Sequence, residues 1–239
     1  NYDGFKELDF SNLLMSLSGG MAALDTTAKR WHEATKSVIW QAYGLTETSP
    51  LVSVNDYKQT EFTGSVGLPA AFTEIEIRDE DNNVLTETNE VGELCVRGPQ
   101  VMSGYWNSEV SGLDENNWFM TGDIARIDET GNIFIVDRKK DMIIVSGFNV
   151  FPNEVEAVVN EHPAVLECGC VGIEGESSQE LVKVFIVLHE GQTLSEEEII
   201  SFCREKLTAY KVPKHIEFIK EIPKTNVGKV LRRELKTGS

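Results

Sequence analysis

Five consecutive residues, Tyr43 to Glu47, bring an aromatic ring, a glycine, a hydroxyl and a carboxylate into one short segment. An aromatic ring can stack on a planar base, and a glycine lets the backbone approach a ligand closely. Thr46 could bond a phosphate oxygen, and the Glu47 carboxylate could hold Mg²⁺. The same residues also suit a plain strand-end turn with Tyr43 in the core. The segment alone leaves both interpretations open.

Two further polar side chains each follow a glycine. Asp123 comes after Gly122, where a carboxylate can accept hydrogen bonds from both hydroxyls of a ribose, although an Asp in a turn often serves only the turn. Lys229 comes after Gly228 and could place a point charge on a carboxylate or a phosphate. The competing interpretation of Lys229 is the exposed start of a cationic helix.

A run of charges, Asp137-Arg138-Lys139-Lys140-Asp141, lies between two apolar segments. Such a run commonly forms a solvated hairpin or linker. Here the hydrophobic pattern changes on either side of it, so a hinge between two domains is an equally open interpretation. Ser146-Gly147 follows, and its glycine either admits a ligand or only makes a turn.

The elements that must position these residues fall into two blocks. Apolar periodicity predicts a strand over residues 13–18, a helix over 24–36 and a strand over 38–42, the order typical of an α/β sheet with ligands at the strand ends. Alternating residues such as those of 74–78, with Asn, Asp and Gly turns, predict a small β-rich subdomain at about 64–137.

The second block, residues 138–239, alternates strands and helices and predicts a compact α+β domain. Pro152 opens one helix, whose core face is Val155, Val158 and Val159. Ser195 and Glu198 form a capping box for another helix. The remaining predicted elements are strands at 142–145, 165–173, 181–188 and 215–219, the turn Asn226-Val227-Gly228 and a basic helix from Lys229.

Composition narrows the classes of protein. The 239 residues are 41% hydrophobic, which excludes a disordered chain, and no apolar run approaches the roughly 18 residues of a membrane span. The net charge of −17 argues against nonspecific nucleic-acid binding, which depends on neutralising phosphates. Residues 204–239 still carry 10 basic and 4 acidic side chains, which suits a small anionic ligand. Four scattered cysteines predict a reducing compartment, the cytoplasm.

Six motifs in a fixed order resemble one family, the adenylate-forming enzyme superfamily, which includes acyl-CoA synthetases, luciferases and nonribosomal adenylation domains. Two stretches, Val136 to Ile143 and Val145 to Val150, are most similar to its bacterial long-chain fatty-acid–CoA ligases. The six motifs are Ser18-Gly19-Gly20-Met21, Tyr43 to Thr48, Gly92-Glu93-Leu94 with Gly104-Tyr105-Trp106, Thr121-Gly122-Asp123, Asp137 to Asp141, and Gly228-Lys229.

The resemblance implies a mixed fold, α/β and α+β. Residues 1–137 would be the carboxy-terminal portion of a large AMP-binding domain, a sheet–helix layer plus the β-rich subdomain. Residues 138–239 would be a small mobile lid domain with its hinge near 138–141. The resemblance also implies that the phosphate loop and most of the acyl tunnel precede this chain, so we expect these 239 residues alone to be inactive.

The resemblance further implies a two-step ligase reaction with ATP, Mg²⁺ and CoA. A fatty-acid carboxylate attacks the α-phosphate of ATP, and the CoA thiol then displaces AMP. Lys229 would be catalytic, Glu47 would hold Mg²⁺, Lys140 would be the hinge residue, and Ser146 and Gly147 would lie beside CoA. The AMP site would comprise Gly20, Gln41, Tyr43, Gly44, Thr46, Asp123 and Arg138.

Other functions stay open. A fatty-acyl-AMP ligase would hand its adenylate to a carrier protein, and other acid–CoA ligases share the same motifs. A non-catalytic binding module would use the acidic block and the cationic tail for a protein partner. The oligomeric state is not predicted, and contact with the inner membrane face, through the preceding half, is a further expectation.

Overall fold

The computed structural model describes residues 4–175, 179–226 and 228–237. The chain divides into two compact units, Asn1–Ile135 and Val136–Ser239, called here the first and the second unit. No helix among the described residues combines the length and the apolar character that crossing a bilayer requires.

The first unit begins with a four-stranded sheet in the order β1-β2-β3-β4. Strands β1 and β2 are parallel and are joined by α1, whereas β3 and β4 add in antiparallel fashion. The predicted strand–helix–strand order is therefore confirmed. These elements are β1 Ser16–Gly19, α1 Asp25–Thr35, β2 Ile39–Gly44, β3 Leu51–Val54 and β4 Leu68–Pro69.

Strand β1 is shorter than predicted. The N–H of Leu13 donates to the Phe10 carbonyl at 2.9 Å and closes a turn, so the strand starts at Ser16 and not at residue 13. The Trp31 indole of α1 donates to the Ser16 hydroxyl at 2.9 Å and ties the helix to the start of the strand.

The predicted β-rich subdomain is a second four-stranded sheet in the order β5-β6-β7-β8, with antiparallel β5–β6 and β6–β7 pairs. Its strands are β5 Glu74–Arg78, β6 Gly92–Arg97, β7 Phe119–Ile127 and β8 Ile133–Arg138. Both sheets contribute to one core, which consists of Val52, Val66, Ile77, Leu94, Val96, Ala125 and Ile133. Short 3-10 helices cover Phe5–Glu7 and Thr46–Thr48.

The second unit is an α+β fold with a β9–β10 hairpin and a three-stranded sheet in the order β11-β12-β13. The β11–β12 pair is antiparallel and the β12–β13 pair is parallel. The elements are a 3-10 helix Lys139–Asp141, β9 Ile143–Val145, β10 Phe148–Val150, α2 Pro152–Val159, β11 Val165–Glu174, β12 Glu180–Leu188, α3 Glu196–Arg204, β13 His215–Phe218 and α4 Arg232–Thr237.

From Val184 to Val187, strand β12 is apolar on both faces because both faces are covered. Val184 and Ile186 belong to the larger core, which includes Val155 and Val159 of α2. Phe185 and Val187 alternate with them and belong to a second cluster on the other face.

Local signals set the helix starts in the second unit. Pro152 occupies the first turn of α2, as predicted. The predicted capping box at the start of α3 is also confirmed, since the Glu198 N–H donates to the Ser195 hydroxyl at 3.2 Å and the Ser195 N–H donates to Glu198 at 2.8 Å.

The prediction of a helix from Lys229 is wrong. The Thr225 N–H donates to the Lys229 carbonyl at 2.8 Å, and the backbones of Lys224 and Val230 form an isolated antiparallel β-bridge. Lys229 therefore lies in a hairpin-like turn. Helix α4 starts only at Arg232. Val227 of the predicted turn lies outside the described residues.

Truncating Ile186 tests the core of the second unit. We expect Ile186→Ala to lower the free energy of unfolding of the chain by about 2–5 kcal/mol, because the fully buried side chain leaves a cavity. Chemical denaturation measures this. Ile144→Ala, at a position that is 50% exposed, is the matched control and should change stability by less than about 0.5 kcal/mol. Equal effects would contradict the assigned core.

Burial should also suppress thiol chemistry. All four cysteines are free and buried, and desolvation raises the pKa of Cys95 to about 12 and that of Cys203 to about 11. Desolvation by burial also raises the pKa values of Cys168 and Cys170. We expect alkylation at pH 8 to be slow in the folded chain and fast in guanidinium, as followed by mass spectrometry. Equally fast labelling of the folded chain would contradict this burial.

Candidate functional site

The first group of candidate residues lies where two parallel strands end. Because Gly19 of β1 is in register with Ala42 of β2, Gly20 and Tyr43 follow the same edge of the sheet. Carboxyl ends of adjacent parallel strands are the usual place for ligands in α/β sheets. The structure thus brings together the first two sequence motifs.

The side chain of Gln41 is buried and forms hydrogen bonds that hold the segments next to this edge. Its amide oxygen accepts the N–H of Ala23 at 3.0 Å, and its amide nitrogen donates to the Ser65 carbonyl at 3.1 Å. The backbone N–H of Gln41 donates to the Asn55 side chain at 2.6 Å. Both ends of the Gln41 amide are therefore bonded to backbone, which fixes the loop after Gly20 against β2.

The turn after β2 is closely packed. A side chain at Gly44 would collide with the Pro50 carbonyl, so only glycine fits. The buried Thr48 hydroxyl lies 2.6 Å from that same carbonyl and accepts the Leu45 N–H at 3.0 Å. These bonds hold the 3-10 turn on which Thr46 is exposed.

Tyr43 and Asp123 meet although they are 80 residues apart. The Tyr43 hydroxyl donates to the Asp123 carboxylate at 2.5 Å. Tyr43 is the next-to-last residue of β2 in the first sheet, and Asp123 lies on β7 of the second sheet. Two motifs whose roles stay open when each is taken alone are therefore joined by one polar contact at the junction of the two sheets.

The part of β7 around Asp123 is held by two side chains to which the sequence pattern gave no role. The Asp123 N–H donates to the Thr121 hydroxyl at 3.1 Å, and that hydroxyl donates to the Leu94 carbonyl at 2.8 Å. The Gly122 N–H donates to the Glu93 carboxylate at 3.0 Å. The available signal was Glu93 directly before the apolar run Leu94-Cys95-Val96, because a carboxylate that is buried with such a run needs partners.

Glu47 lies on the same 3-10 turn as Thr46, and its carboxylate accepts the Tyr105 hydroxyl at 3.1 Å. Desolvation, and then this bond, raises the pKa of the Tyr105 phenol. Within the described ranges no cluster of three or more His, Cys, Asp or Glu could hold a metal. A single carboxylate still fits Mg²⁺ that arrives with a nucleotide, since phosphates and waters supply the other ligands.

The second unit carries the other candidate residues. Asp137 is buried and accepts the N–H groups of Arg138 and Asn153, each at 2.7 Å. Arg138 is the last residue of β8, and Lys140 is exposed on the 3-10 turn that follows. The charge run is thus anchored at one end by Asp137.

Ser146 and Gly147 form the two-residue turn between β9 and β10. Val145 pairs with Phe148, and both turn residues have positive φ, 51° and 83°. This is the type I′ geometry that suits antiparallel hairpins. A Cβ on Gly147 would meet no atom within 4 Å. The turn therefore favours glycine because of the positive φ and not because of close packing.

Lys229 is exposed at the end of its own turn. Its N–H donates to the Thr225 hydroxyl at 3.1 Å, and the Gly228 N–H donates to the Thr225 carbonyl at 2.8 Å. All the ligand-binding, hinge and catalytic roles given above, in both units, stay predictions.

Comparison with known proteins places these motifs in a family. Residues 2–106 match the model of the AMP-binding enzyme, and residues 154–229 match that of the AMP-binding enzyme C-terminal domain. The chain is 51% identical over 238 residues to a long-chain-fatty-acid–CoA ligase of Escherichia coli O157:H7, covering 99% of this chain and 42% of that relative.

Two solved structures share the fold. The anthranilate CoA ligase AuaEII in complex with anthranoyl-AMP superposes with a TM-score of 0.88 at 32% identity, over 99% of this chain and 46% of that one. The amide bond synthetase McbA from Marinactinospora thermotolerans superposes with a TM-score of 0.90 at 30% identity, over 100% and 50%. The chain spans about two fifths of the length of the curated relative, and it belongs to the AMP-binding enzyme family.

Proposed function

We propose that the chain is the nucleotide-binding and lid part of a long-chain fatty-acid–CoA ligase, which forms acyl-CoA, AMP and diphosphate from fatty acid, ATP and CoA. The observation that carries the proposal is the 2.5 Å contact of Tyr43 with Asp123 at the end of β2. The 51% identity to a named long-chain ligase supports the choice of substrate class.

In the proposed adenylation step, a carboxylate oxygen attacks the α-phosphorus of ATP and diphosphate leaves. The Tyr43 ring stacks on the adenine, while its hydroxyl orients the Asp123 carboxylate toward the ribose hydroxyls. Thr46, exposed on the turn, donates to a phosphate oxygen. Glu47 binds the Mg²⁺ that accompanies ATP, and Mg²⁺ supplies charge neutralisation on the phosphates.

Lys229 completes this step in the proposal. Its ammonium bridges the acyl carboxylate and the α-phosphate and offsets the negative charge that builds there. An exposed lysine on a short turn suits this role, since the charge reaches a ligand without disturbing the packed core. The Arg138 guanidinium adds a second contact to the ribose.

In the proposed thioester step, the second unit rotates about Lys140 and withdraws Lys229. The CoA thiol attacks the acyl carbonyl carbon, and AMP leaves. The Ser146-Gly147 turn then lies beside the pantetheine arm, where its small residues leave room for the ligand.

Transfer of the adenylate to another acceptor is the second candidate. Among proteins of the same fold, one is named a CoA ligase and another an amide bond synthetase, so the fold alone does not select the acceptor. The named ligase relatives favour CoA. Supplying palmitate and ATP with either CoA or a carrier protein, and measuring acyl-CoA and acyl-carrier product, distinguishes the two acceptors.

The proposal also places the protein in the cytoplasm, with contact to the inner membrane face through sequence outside this chain. Four free thiols support a reducing compartment. Fractionation of cells into supernatant and membrane pellet tests this placement.

The Tyr43–Asp123 contact yields a binding prediction. We expect Tyr43→Phe to weaken ATP binding roughly tenfold, because the carboxylate loses the bond that orients it, and Asp123→Asn to weaken it further. The test protein is a chimera in which this chain replaces the matching stretch of the Escherichia coli relative, and calorimetry gives the ATP affinity. Tyr57→Phe, at an exposed tyrosine, is the control. Unchanged ATP affinity in Asp123→Asn would remove Asp123 from the ribose site.

Lys229 yields a kinetic prediction in the same chimera. We expect Lys229→Ala to slow adenylation by roughly 10²–10³-fold, the usual effect of removing one charge-stabilising donor. Thioester formation from supplied acyl-adenylate should be unchanged, since Lys229 has then been withdrawn. Lys220→Ala, at another exposed lysine of the second unit, should alter neither step. An equal loss in both steps would contradict the domain rotation.

A further inference from the structure

Arg232, three positions after Lys229, carries a charge that the proposed mechanism does not use. It is the first residue of α4, and its side chain is only 15% exposed. Its guanidinium contacts both carboxylate oxygens of Glu156 on α2, at 2.9 and 3.0 Å. It also donates to the Asn153 side-chain oxygen at 2.8 Å. Both of these Glu156 contacts come from Nη2, and Nε contacts the same carboxylate at 3.3 Å, so two guanidinium nitrogens fix orientation as well as distance.

The same guanidinium faces the predicted hinge. It lies 3.4 Å from the Asp141 carboxylate and 3.9 Å from that of Asp137, and these two residues bracket Arg138 to Lys140. Burial raises the pKa values of Asp137 and Glu156, and the nearby Arg232 charge opposes that rise. One cation therefore holds together three carboxylates from two separate stretches of chain.

Apolar packing holds the residues on either side of Arg232. Val230 and Leu235 pack against the cluster of Phe185 and Ile222 on the sheet face that α4 covers. A Cβ on Gly169 would come within 2.7 Å of Leu235, so β11 and α4 are in close contact. The segment that carries Lys229 is fixed by apolar contacts and by the ion cluster together.

We propose that Arg232 is a positioning residue whose guanidinium fixes the Lys229 turn to α2 and to the carboxylates that bracket the hinge. Rotation about the hinge then carries Lys229 as part of one rigid arm. The kinetic consequence rests on the function proposed above for Lys229, whereas the rigidity of the turn does not.

Hydrogen exchange in this chain tests the rigidity without any activity. Arg232→Lys keeps the charge but loses the planar guanidinium with its several N–H donors. We expect it to speed hydrogen exchange of the Thr225 and Gly228 amides roughly tenfold. The core amides of β12 should keep their rates. Arg233→Lys, at the exposed neighbour, is the matched control. Unchanged exchange at Thr225 and Gly228 in Arg232→Lys would overturn the proposal.

Kinetics in the chimera tests the consequence. Arg232→Lys and Glu156→Gln should each lower kcat of adenylation about tenfold at unchanged KM for ATP, and leave thioester formation from supplied acyl-adenylate intact. Combined with Lys229→Ala, Arg232→Lys should cause no further loss, since both act through one ammonium. Equal loss in both steps, or a fully additive double variant, would show a role in stability alone and would overturn the proposal. A wild-type chimera that forms no acyl-adenylate would instead overturn the proposed function, with the exchange result unaffected.

Discussion

The hydrogen bond between Tyr43 and Asp123 is the contact on which the candidate site depends. It joins the end of strand β2 in one sheet to strand β7 of another sheet, and both partners are at least partly buried. A carboxylate that is taken out of water requires a donor, and here the phenol supplies it. The proposed nucleotide site exists only because the two sheets share a core that holds these groups 2.5 Å apart.

Buried polar side chains behind the site fix the loops that carry it. The Gln41 amide bonds backbone groups on both sides, and the Thr48 hydroxyl closes the turn after β2. Glu93 and Thr121 hold the part of β7 around Asp123 in the same way. Of these four, Gln41 alone is also predicted to line the AMP site. Their bonds restrict the loops to one conformation, which reduces the ordering that ligand binding would otherwise require.

In the second unit, an ion cluster around Arg232 holds the segments of the chain in position. Arg232 faces Glu156, Asp137 and Asp141, and the raised pKa values of Asp137 and Glu156 reflect their burial. Charges buried in this way contribute little net stability, but removing one leaves the others uncompensated. The cluster therefore specifies an arrangement, and the arrangement links the lysine turn to the residues around the predicted hinge.

Local features of the chain could be predicted from the amino-acid sequence. Pro152 and the Ser195–Glu198 pair predicted where two helices start, because helix capping involves residues that are near one another in the chain. The order of the motifs indicated the family. The sequence pattern misplaced the start of α4, since the Lys229 turn depends on bonds to Thr225 and a bridge between Lys224 and Val230. The contacts of Tyr43 with Asp123 and of Arg232 with Glu156, 80 and 76 residues apart, became visible only in the folded chain. Such contacts follow from how sheets and helices pack, and no local pattern encodes them.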